Sequence, residues 1–275
     1  MANTADASTL VFLHAHPDDE ALFTSGTMAR ASAEGHRVVL VVATSGEQGL
    51  ASGSFGDSQA LGATRQRELE VSARALGVHR TVLLGFGDSG LHGEAPVVQG
   101  HPLPFIRVPI DEAAERVAEV LREENADVLT TYDPAGGYGH PDHRHVNVVG
   151  ARAAELAGTP ILLEATVPRD TIARMVRLVG KVYKYPPEFD PTSFERAYTP
   201  RGEITHWVDC RSVIDAKRAS MAAHSSQATA DGADRTLAAF LRLPMPVYRR
   251  VFRREWYVRR SLGAATLPSL FEPAH

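Results

Sequence analysis

Two short stretches of the chain share one pattern, a histidine followed by a proline and an aspartate. Residues 16–19 read HPDD and residues 140–143 read HPDH. Each stretch follows an apolar run typical of a strand and precedes a pattern typical of a helix. Residues three apart on a helical turn share a face, so His16 can converge with Asp19, and the two histidines of the second stretch with each other.

This combination of side chains is suited to metal-assisted hydrolysis. Two imidazoles and one carboxylate can hold a zinc ion and leave a position for water. Such a metal lowers the pKa of its water toward ~7, and a neighbouring carboxylate can take the proton. Asp18 projects beside the shared face and is the natural base. Spacing alone leaves open whether His140 or His143 binds the metal.

Capping is the alternative explanation for each stretch. Aspartate is common near helix N-termini because it accepts hydrogen bonds from free N–H groups and favours the helix dipole. For one stretch alone, capping explains the pattern as well as catalysis does. The repetition of histidine and aspartate after two different strands favours a shared site.

The elements that must position these residues alternate along the chain. The predicted strands cover residues 9–15, 37–44, 80–85, 127–132 and 161–165, and the predicted helices cover residues 20–33, 63–75, 110–125 and 142–156. This alternation predicts right-handed βαβ units and a mainly parallel sheet. We therefore expect an α/β, Rossmann-like sandwich over residues 9–165, with both stretches beyond the carboxyl ends of strands, where ligands bind.

Residues 166–275 are less regular, and we interpret them as a C-terminal extension within a single domain that spans residues 1–275. We predict strands at 204–208 and 248–258 and a helix near 213–227. Six arginines lie between residues 249 and 260. Their alternation with apolar residues favours a solvated edge strand or a subunit contact over a ligand site.

Composition excludes several functional classes. The chain has 275 residues, with 29 Lys and Arg against 33 Asp and Glu, so no basic excess suggests a nucleic-acid partner. The single cysteine, Cys210, excludes a disulfide within the chain. No run approaches the ~20 apolar residues that span a membrane, and the N-terminus lacks a signal-peptide pattern. We expect a cytoplasmic protein that binds neither nucleic acid nor membrane, and homo-oligomer formation stays open.

Two further segments carry weaker signals. Residues 85–90 fit G-x-G-x-x-G, but several prolines follow where a dinucleotide fingerprint must open a helix, so we discount cofactor binding there. Residues 45–62 form a long Gly- and Ser-rich stretch after a strand. That position favours a lid or binding loop over a simple surface excursion.

The two motifs resemble those of the PIG-L/LmbE-like family of metal-dependent N-deacetylases. The matching stretches are HPDDE at 16–20 and HPDH at 140–143. The run DPAGGYGH at 133–140 is most similar to the branch that handles mycothiol and its precursor. Supporting likeness extends the resemblance over residues 9–230, through residues 65–69, 88–90 and 217–227.

The resemblance implies a metal site and a Rossmann-like fold. His16, Asp19 and His143 would be the metal ligands, which favours His143 over its neighbour. Zn²⁺ is the expected metal, with Fe²⁺ as an alternative. Asp18 would be the general base.

The resemblance also implies roles around the metal. His140 would stabilise the oxyanion or help to protonate the leaving amine, with Asp142 orienting it. Tyr138 would polarise the acetyl carbonyl. Arg65 and Asp88 would contact the sugar or its substituent.

The expected activity is removal of an N-acetyl group from an N-acetylglucosamine-type sugar or glycoconjugate. An amidase that cleaves a larger amide, such as a mycothiol S-conjugate, is the alternative within the class. An Fe(II) oxygenase is a second class, because His16, Asp18 and a distant histidine match a facial triad, although such sites usually lie on β-barrels. A non-catalytic sugar-binding protein is the third.

Overall fold

The described strands form a single sheet. The computed structural model describes residues 7–49, 58–181, 191–228, 236–261 and 265–275. The strands are β1 Thr9–His14, β2 Arg37–Thr44, β3 Arg80–Phe86, β4 Val128–Tyr132, β5 Ile161–Thr166, β6 His206–Asp209, β7 Arg254–Ser261 and β8 Glu272–Pro273. Their order in the sheet is β3-β2-β1-β4-β5-β7-β6-β8. The first five in this order pair in parallel, and the last three are added antiparallel.

Ten helices accompany this sheet in the described residues. They are α1 Asp19–Phe23, α2 Ser25–Ala33, α3 Ser58–Leu76, α4 Ile110–Glu124, α5 Pro141–Ala157, α6 Arg169–Val179, α7 Ile214–Ala223, α8 Ser225–Ala228, α9 Thr236–Leu241 and α10 Met245–Val251. Short 3-10 turns cover Phe105–Arg107, Pro191–Glu195, Arg201–Glu203 and Arg211–Val213. Within the described ranges, no helix combines the length and apolar character that crossing a membrane requires.

The predicted α/β architecture with a mainly parallel sheet is confirmed. β2 is buried along its length apart from its first residue, as its continuous apolar sequence predicts for a strand covered on both faces. α4 buries the expected stripe at Ala113, Val117, Val120 and Leu121 against the sheet.

The strand order places both histidine motifs together. The chain leaves β1 toward one side of the sheet to reach β2, and later returns to place β4 on the other flank of β1. The crevice at the carboxyl ends of two such strands is the switch point where α/β proteins bind ligands. Residues 16–19 follow β1, and residues 140–143 follow the loop after β4.

Two predicted helices in the first half differ from the structure. The helix expected up to residue 33 is interrupted at Thr24, whose φ of −138° ends α1 before α2 begins. The helix expected over 63–75 begins earlier, at Ser58, so the last part of the predicted loop 45–62 is helical. Residues 50–57 of that loop lie outside the described residues, and its lid role stays a prediction.

The C-terminal predictions need larger corrections. Residues 248–251, predicted as the start of the strand 248–258, belong to α10 instead, because Pro246 lies in the first turn of this helix, where its fixed φ is favourable. The helix expected over 213–227 is divided at His224 into α7 and α8. The arginine-rich strand is not at an edge, since β7 lies between β5 and β6.

Candidate metal centre

The first motif forms a tight turn at the end of β1. The backbone N–H of His16 donates to Asp19 Oδ2 at 2.9 Å, which folds the carboxylate back toward the ring. Asp18 between them has φ 102°, a left-handed conformation that costs a non-glycine residue about 1–3 kcal/mol. Glu20 holds this conformation by accepting the Asp18 N–H at 3.0 Å.

The second motif begins α5 as the sequence predicts. His140 is the N-cap, and its Nδ1 accepts the backbone N–H of Asp142 at 3.2 Å. Pro141 occupies the first helical position, where a missing N–H costs nothing. His143 is the third residue of this helix and is completely buried.

The two motifs meet around the carboxylate of Asp19. Its Oδ2 lies 3.3 Å from His16 Nδ1, and its Oδ1 lies 3.2 Å from His143 Nε2. Ligand atoms held about 2.0–2.1 Å from a zinc ion at tetrahedral angles are about 3.3 Å apart. Each of the two pair separations is close to this value, but the histidines face different oxygens of Asp19, and these three side chains are not among the described groups whose ligand atoms all lie within 4.8 Å of one another.

The buried nitrogen atoms of His143 favour metal coordination. Among the described residues, no hydrogen bond of normal geometry reaches either ring nitrogen of His143, and Nε2 has only the 3.2 Å approach to Asp19 Oδ1. A buried polar atom without a partner costs free energy, and metal coordination would remove that cost for one of the two nitrogens. The opposite nitrogen of His16, Nε2, lies 3.1 Å from Asp142 Oδ2, an arrangement typical of carboxylates that orient metal-binding histidines.

A second group of potential ligands overlaps the first. Ligand atoms of His16, Asp88 and Asp142 lie within 4.8 Å of one another, as do those of His16, His140 and His143. His16 belongs to both groups, so the described cluster offers more than one possible set of metal ligands.

The electrostatics of the cluster favour a cation. Burial alone would lower the pKa of His16, but Asp88, Asp142 and Asp19 together raise that pKa well above its ordinary value. Burial opposes ionisation of Asp19, yet the charges of His143 and His16 hold its pKa well below the usual range. Positive charge is thus stabilised where the carboxylates meet.

Asp18 and His140 lie in different environments. Asp18 is the most exposed carboxylate of the cluster, with 22% of its side chain accessible, and its Oδ1 lies 3.1 Å from Arg65 Nη2. Burial raises the pKa of Asp18, and the Arg65 charge opposes that rise. Burial, reinforced by the neighbouring His16 and His143, lowers the pKa of His140 to about 4.

The structure changes the expected contact of Asp142. The resemblance implies that the Asp142 carboxylate orients His140. In the structure, the backbone N–H of Asp142 contacts the His140 ring, and the carboxylate does not. The carboxylate contacts His16 instead and accepts the backbone N–H of Ser89 at 3.1 Å. The reason is the helical position, which turns the side chain of Asp142 toward β1 and the loop after β3.

Tyr138, Arg65 and Asp88 surround the cluster. Tyr138 is 43% exposed, and its ring centroid lies 5.2 Å from that of His143. Arg65 is buried and donates to the backbone oxygens of Gly46 and Pro17. Asp88 accepts the backbone N–H groups of residues 48 and 90. Both therefore hold loops beside the cluster, and their contact with a sugar stays a prediction.

Tyr132, the last residue of β4, also contacts the cluster, although neither sequence motif includes it. Its hydroxyl donates to Asp19 Oδ2 at 2.7 Å and accepts the backbone N–H of Ala15 at 3.0 Å. Its ring stacks on His143, with centroids 4.1 Å apart and planes 3° apart. A polar aromatic residue at the carboxyl end of a strand beside the motif was the available signal.

A second missed group lies behind Asp18. Glu20 Oε1 lies 2.6 Å from His224 Nε2 and accepts the Ser72 hydroxyl at 2.6 Å. Glu68 on α3 accepts both the backbone N–H and the hydroxyl of Ser226. The segment 217–227, noted only as supporting likeness, thus holds the first motif from behind.

Comparisons with known proteins find relatives that cover most of this chain. The PIG-L family profile, described as GlcNAc-PI de-N-acetylase, matches residues 11–154. A protein from Streptomyces griseus, named 1D-myo-inositol 2-acetamido-2-deoxy-alpha-D-glucopyranoside deacetylase, is 38% identical over 248 residues, 82% of this chain and 77% of its own length. A protein of the same name from Acidothermus cellulolyticus is 34% identical over 267 residues, 91% of this chain and 88% of its own.

A solved structure shows the same fold. N,N'-diacetylchitobiose deacetylase from Pyrococcus horikoshii superposes with a TM-score of 0.57 at 23% identity, covering 98% of this chain and 85% of its own. The parallel sheet also differs from the β-barrels that usually carry the facial triads of Fe(II) oxygenases. The chain belongs to the PIG-L family, whose members are N-deacetylases that hydrolyse the amide bond of an N-acetyl group.

Proposed function

We propose that this protein is a zinc-dependent N-deacetylase that removes the acetyl group from an N-acetylglucosamine-type glycoconjugate. The observation that carries the proposal is the convergence of His16, Asp19 and His143, with ligand-atom separations of 3.3 and 3.2 Å. Both relatives compared above are named for a deacetylase acting on an inositol glycoside of this sugar. An inositol glycoside is therefore the first substrate to test.

We assign the metal to His16, Asp19 and His143 in preference to the overlapping group. The group formed by His16, Asp88 and Asp142 would use two buried carboxylates and leave His143 Nε2 facing only Asp19 Oδ1. The assigned set gives His143 a ligand role and leaves Asp142 to orient His16. A zinc ion bound there would polarise the acetyl carbonyl and lower the pKa of a water molecule.

Asp18 is the proposed general base. Its partial exposure distinguishes it from Asp19, Asp88 and Asp142, whose side chains are at most 7% exposed. A base must reach a water molecule and a substrate, so it needs an open side. Arg65 and the left-handed backbone fix the direction of its carboxylate.

His140 and Tyr138 are the proposed donors to the oxygen of the acetyl group. His140 Nδ1 accepts a backbone N–H, so a neutral ring carries its proton on Nε2 and can donate there. The exposed Tyr138 hydroxyl offers a second donor. Two donors aimed at an oxygen that gains negative charge lower the barrier of acyl transfer. The leaving amine can then accept the proton that Asp18 has taken from the water molecule.

The test is release of a primary amine by metal-loaded protein. The panel contains N-acetylglucosamine linked to inositol, to a nucleoside diphosphate and, as diacetylchitobiose, to itself. Asp18→Ala should retain metal and lose most turnover, while the exposed Asp215→Ala serves as a matched surface control. An Asp18→Ala variant that no longer binds metal would overturn its assignment as the base.

Metal analysis separates the two ligand sets. We expect Asp19→Ala and His143→Ala to reduce zinc content strongly, and Asp88→Ala to retain most of it. The reverse pattern would place the metal between Asp88 and Asp142. Amine release from none of the three sugars with zinc bound would direct the search to larger amides.

A further inference from the structure

A cavity of about 310 Å³ lies beside the metal centre, and Tyr138 belongs to both. We call it the arginine cavity. Two groups of residues line it: Ala135, Tyr138, Gly139 and Arg144 on one side, and Thr192, Ser193, Arg196 and Ala197 on the other. Its volume is at the lower end of those of small-molecule sites, roughly 300–1,000 Å³.

The charge of this cavity is opposite to that of the metal centre. Arg144 and Arg196 contribute two guanidinium groups, and none of its described lining residues is acidic. Arg144 uses its Nε to donate to the carbonyl oxygen of Ala135 at 3.1 Å, which leaves its terminal nitrogens for another acceptor. The described lining of the arginine cavity thus offers positive charge only, whereas the metal centre combines several carboxylates with Arg65.

The two walls of the cavity are held together by hydrogen bonds. Arg169 donates to the backbone oxygens of Ala197 at 2.8 Å and of Tyr198 at 2.6 Å. The backbone N–H of Tyr198 donates to the carbonyl oxygen of Gly137 at 2.9 Å, which joins the second wall to the loop of Tyr138. A cavity with fixed walls loses little entropy when a ligand binds.

We propose that the arginine cavity binds an oxyanion, a phosphate monoester or a carboxylate, carried by the part of the substrate beyond the acetylated sugar. Guanidinium groups match both anions because their N–H donors are arranged in a planar fork. The inference rests on the proposed function for the identity of the acetylated sugar. It adds that the substrate is a charged glycoconjugate, selected by residues outside the metal centre.

Calorimetric binding tests the proposal apart from catalysis. The probes are three alkyl glycosides of N-acetylglucosamine whose chains end in a phosphate monoester, a carboxylate or a hydroxyl group. An Asp18→Asn background prevents turnover. We expect at least one anionic glycoside to bind about tenfold more tightly than the hydroxyl glycoside at low salt, as for a partly hydrated charged pair. The preference should shrink as salt is added.

Variants assign the preference to the cavity. In Arg196→Gln and in Arg144→Gln the affinity ratio of anionic to hydroxyl glycoside should fall toward one, and Arg196→Lys should retain part of it. Arg174→Gln, an exposed arginine on α6, should leave the ratio unchanged. Comparison of the phosphate and carboxylate probes identifies which anion the site selects.

Several results would overturn the inference. They are equal affinity for all three glycosides, an unchanged ratio in both glutamine variants, or no detectable binding of either anionic probe at millimolar concentration. Amine release by protein with Asp18 intact is a separate readout. Amine release from the hydroxyl glycoside, combined with equal affinities for the three glycosides, would support the proposed function and refute the arginine cavity. No release, combined with tighter binding of an anionic glycoside, would support the arginine cavity and refute the proposed function.

Discussion

The buried ion pair between Lys217 and Glu255 is the basis of a quantitative stability prediction. Lys217 Nζ lies 2.6 Å from Glu255 Oε1, with side chains 1% and 3% exposed. Glu255 also accepts the backbone N–H groups of Gly26 and Thr27, at 2.8 and 2.7 Å, in the first turn of α2. The pair therefore attaches α2, which follows the first metal motif, to α7 and β7.

Lys217→Met should destabilise the protein strongly. Removing one partner of a buried pair leaves a desolvated charge and costs about 3–5 kcal/mol. We expect the lower end of that range, because three donors from Gly26 and Thr27 still contact Glu255. For a chain of this size, about 3 kcal/mol corresponds to a fall in Tm of roughly 6–12 °C.

Glu255→Gln should cost at least as much for a different reason. It leaves the Lys217 ammonium buried without a counter-charge, facing the neutral oxygens of Ala21, Leu22 and Ser25 and a neutral amide at position 255. It also turns an amide NH₂ toward backbone N–H donors. The double variant Lys217→Met/Glu255→Gln should lose less stability than the sum of the two single variants, because no unpaired charge remains.

Urea unfolding followed by circular dichroism measures all three free energies, and thermal scans check their order. Arg249→Gln, which removes one partner of a 3.8 Å surface pair with Asp215, is the control and should change stability by less than about 1 kcal/mol. Single variants of Lys217 and Glu255 that each cost less than the control, or costs that add in the double variant, would refute the argument.

Three further predictions follow from single contacts. Tyr132→Phe removes the hydroxyl that donates to Asp19, so zinc affinity, measured by chelator competition, should fall about 10- to 100-fold; unchanged affinity would contradict the contact. Gly150→Ala places a methyl group 2.3 Å from Thr131 Cγ2 and should cost about 1–3 kcal/mol in urea unfolding. Burial raises the pKa of the Cys210 thiol, so a thiol-reactive dye should label the native protein only at its rate of unfolding; rapid labelling would show that the site is open.

The features that could be predicted from the sequence are those set by local pattern. Continuous apolar runs such as residues 37–44 identify buried parallel strands, and HPDD and HPDH identify helix starts at strand ends. Residues 248–251 were wrongly predicted as part of a strand, because arginines that alternate with apolar residues are compatible with a strand as well as with an amphipathic helix. The proline in the first helical turn was the signal that could have separated the two.

Contacts between distant segments could not be predicted in this way. The direction of the Asp142 carboxylate depends on how α5 crosses the end of β1, and nothing within HPDH specifies that crossing. Tyr132 faces Asp19 only because β4 is placed next to β1 in the sheet. Sequence spacing identifies which side chains could bind a metal, whereas strand order decides what orients them.

The contacts that hold Asp18 extend beyond residue 165, the predicted end of the Rossmann-like core. The left-handed conformation of Asp18 is maintained by Glu20, and Glu20 is itself fixed by His224 from the C-terminal extension. Because a strained backbone persists only where its surroundings hold it, the direction of the proposed base depends on residues some two hundred positions away in the chain. The parallel strands bring the proposed metal ligands together, and the C-terminal extension fixes the proposed base beside them.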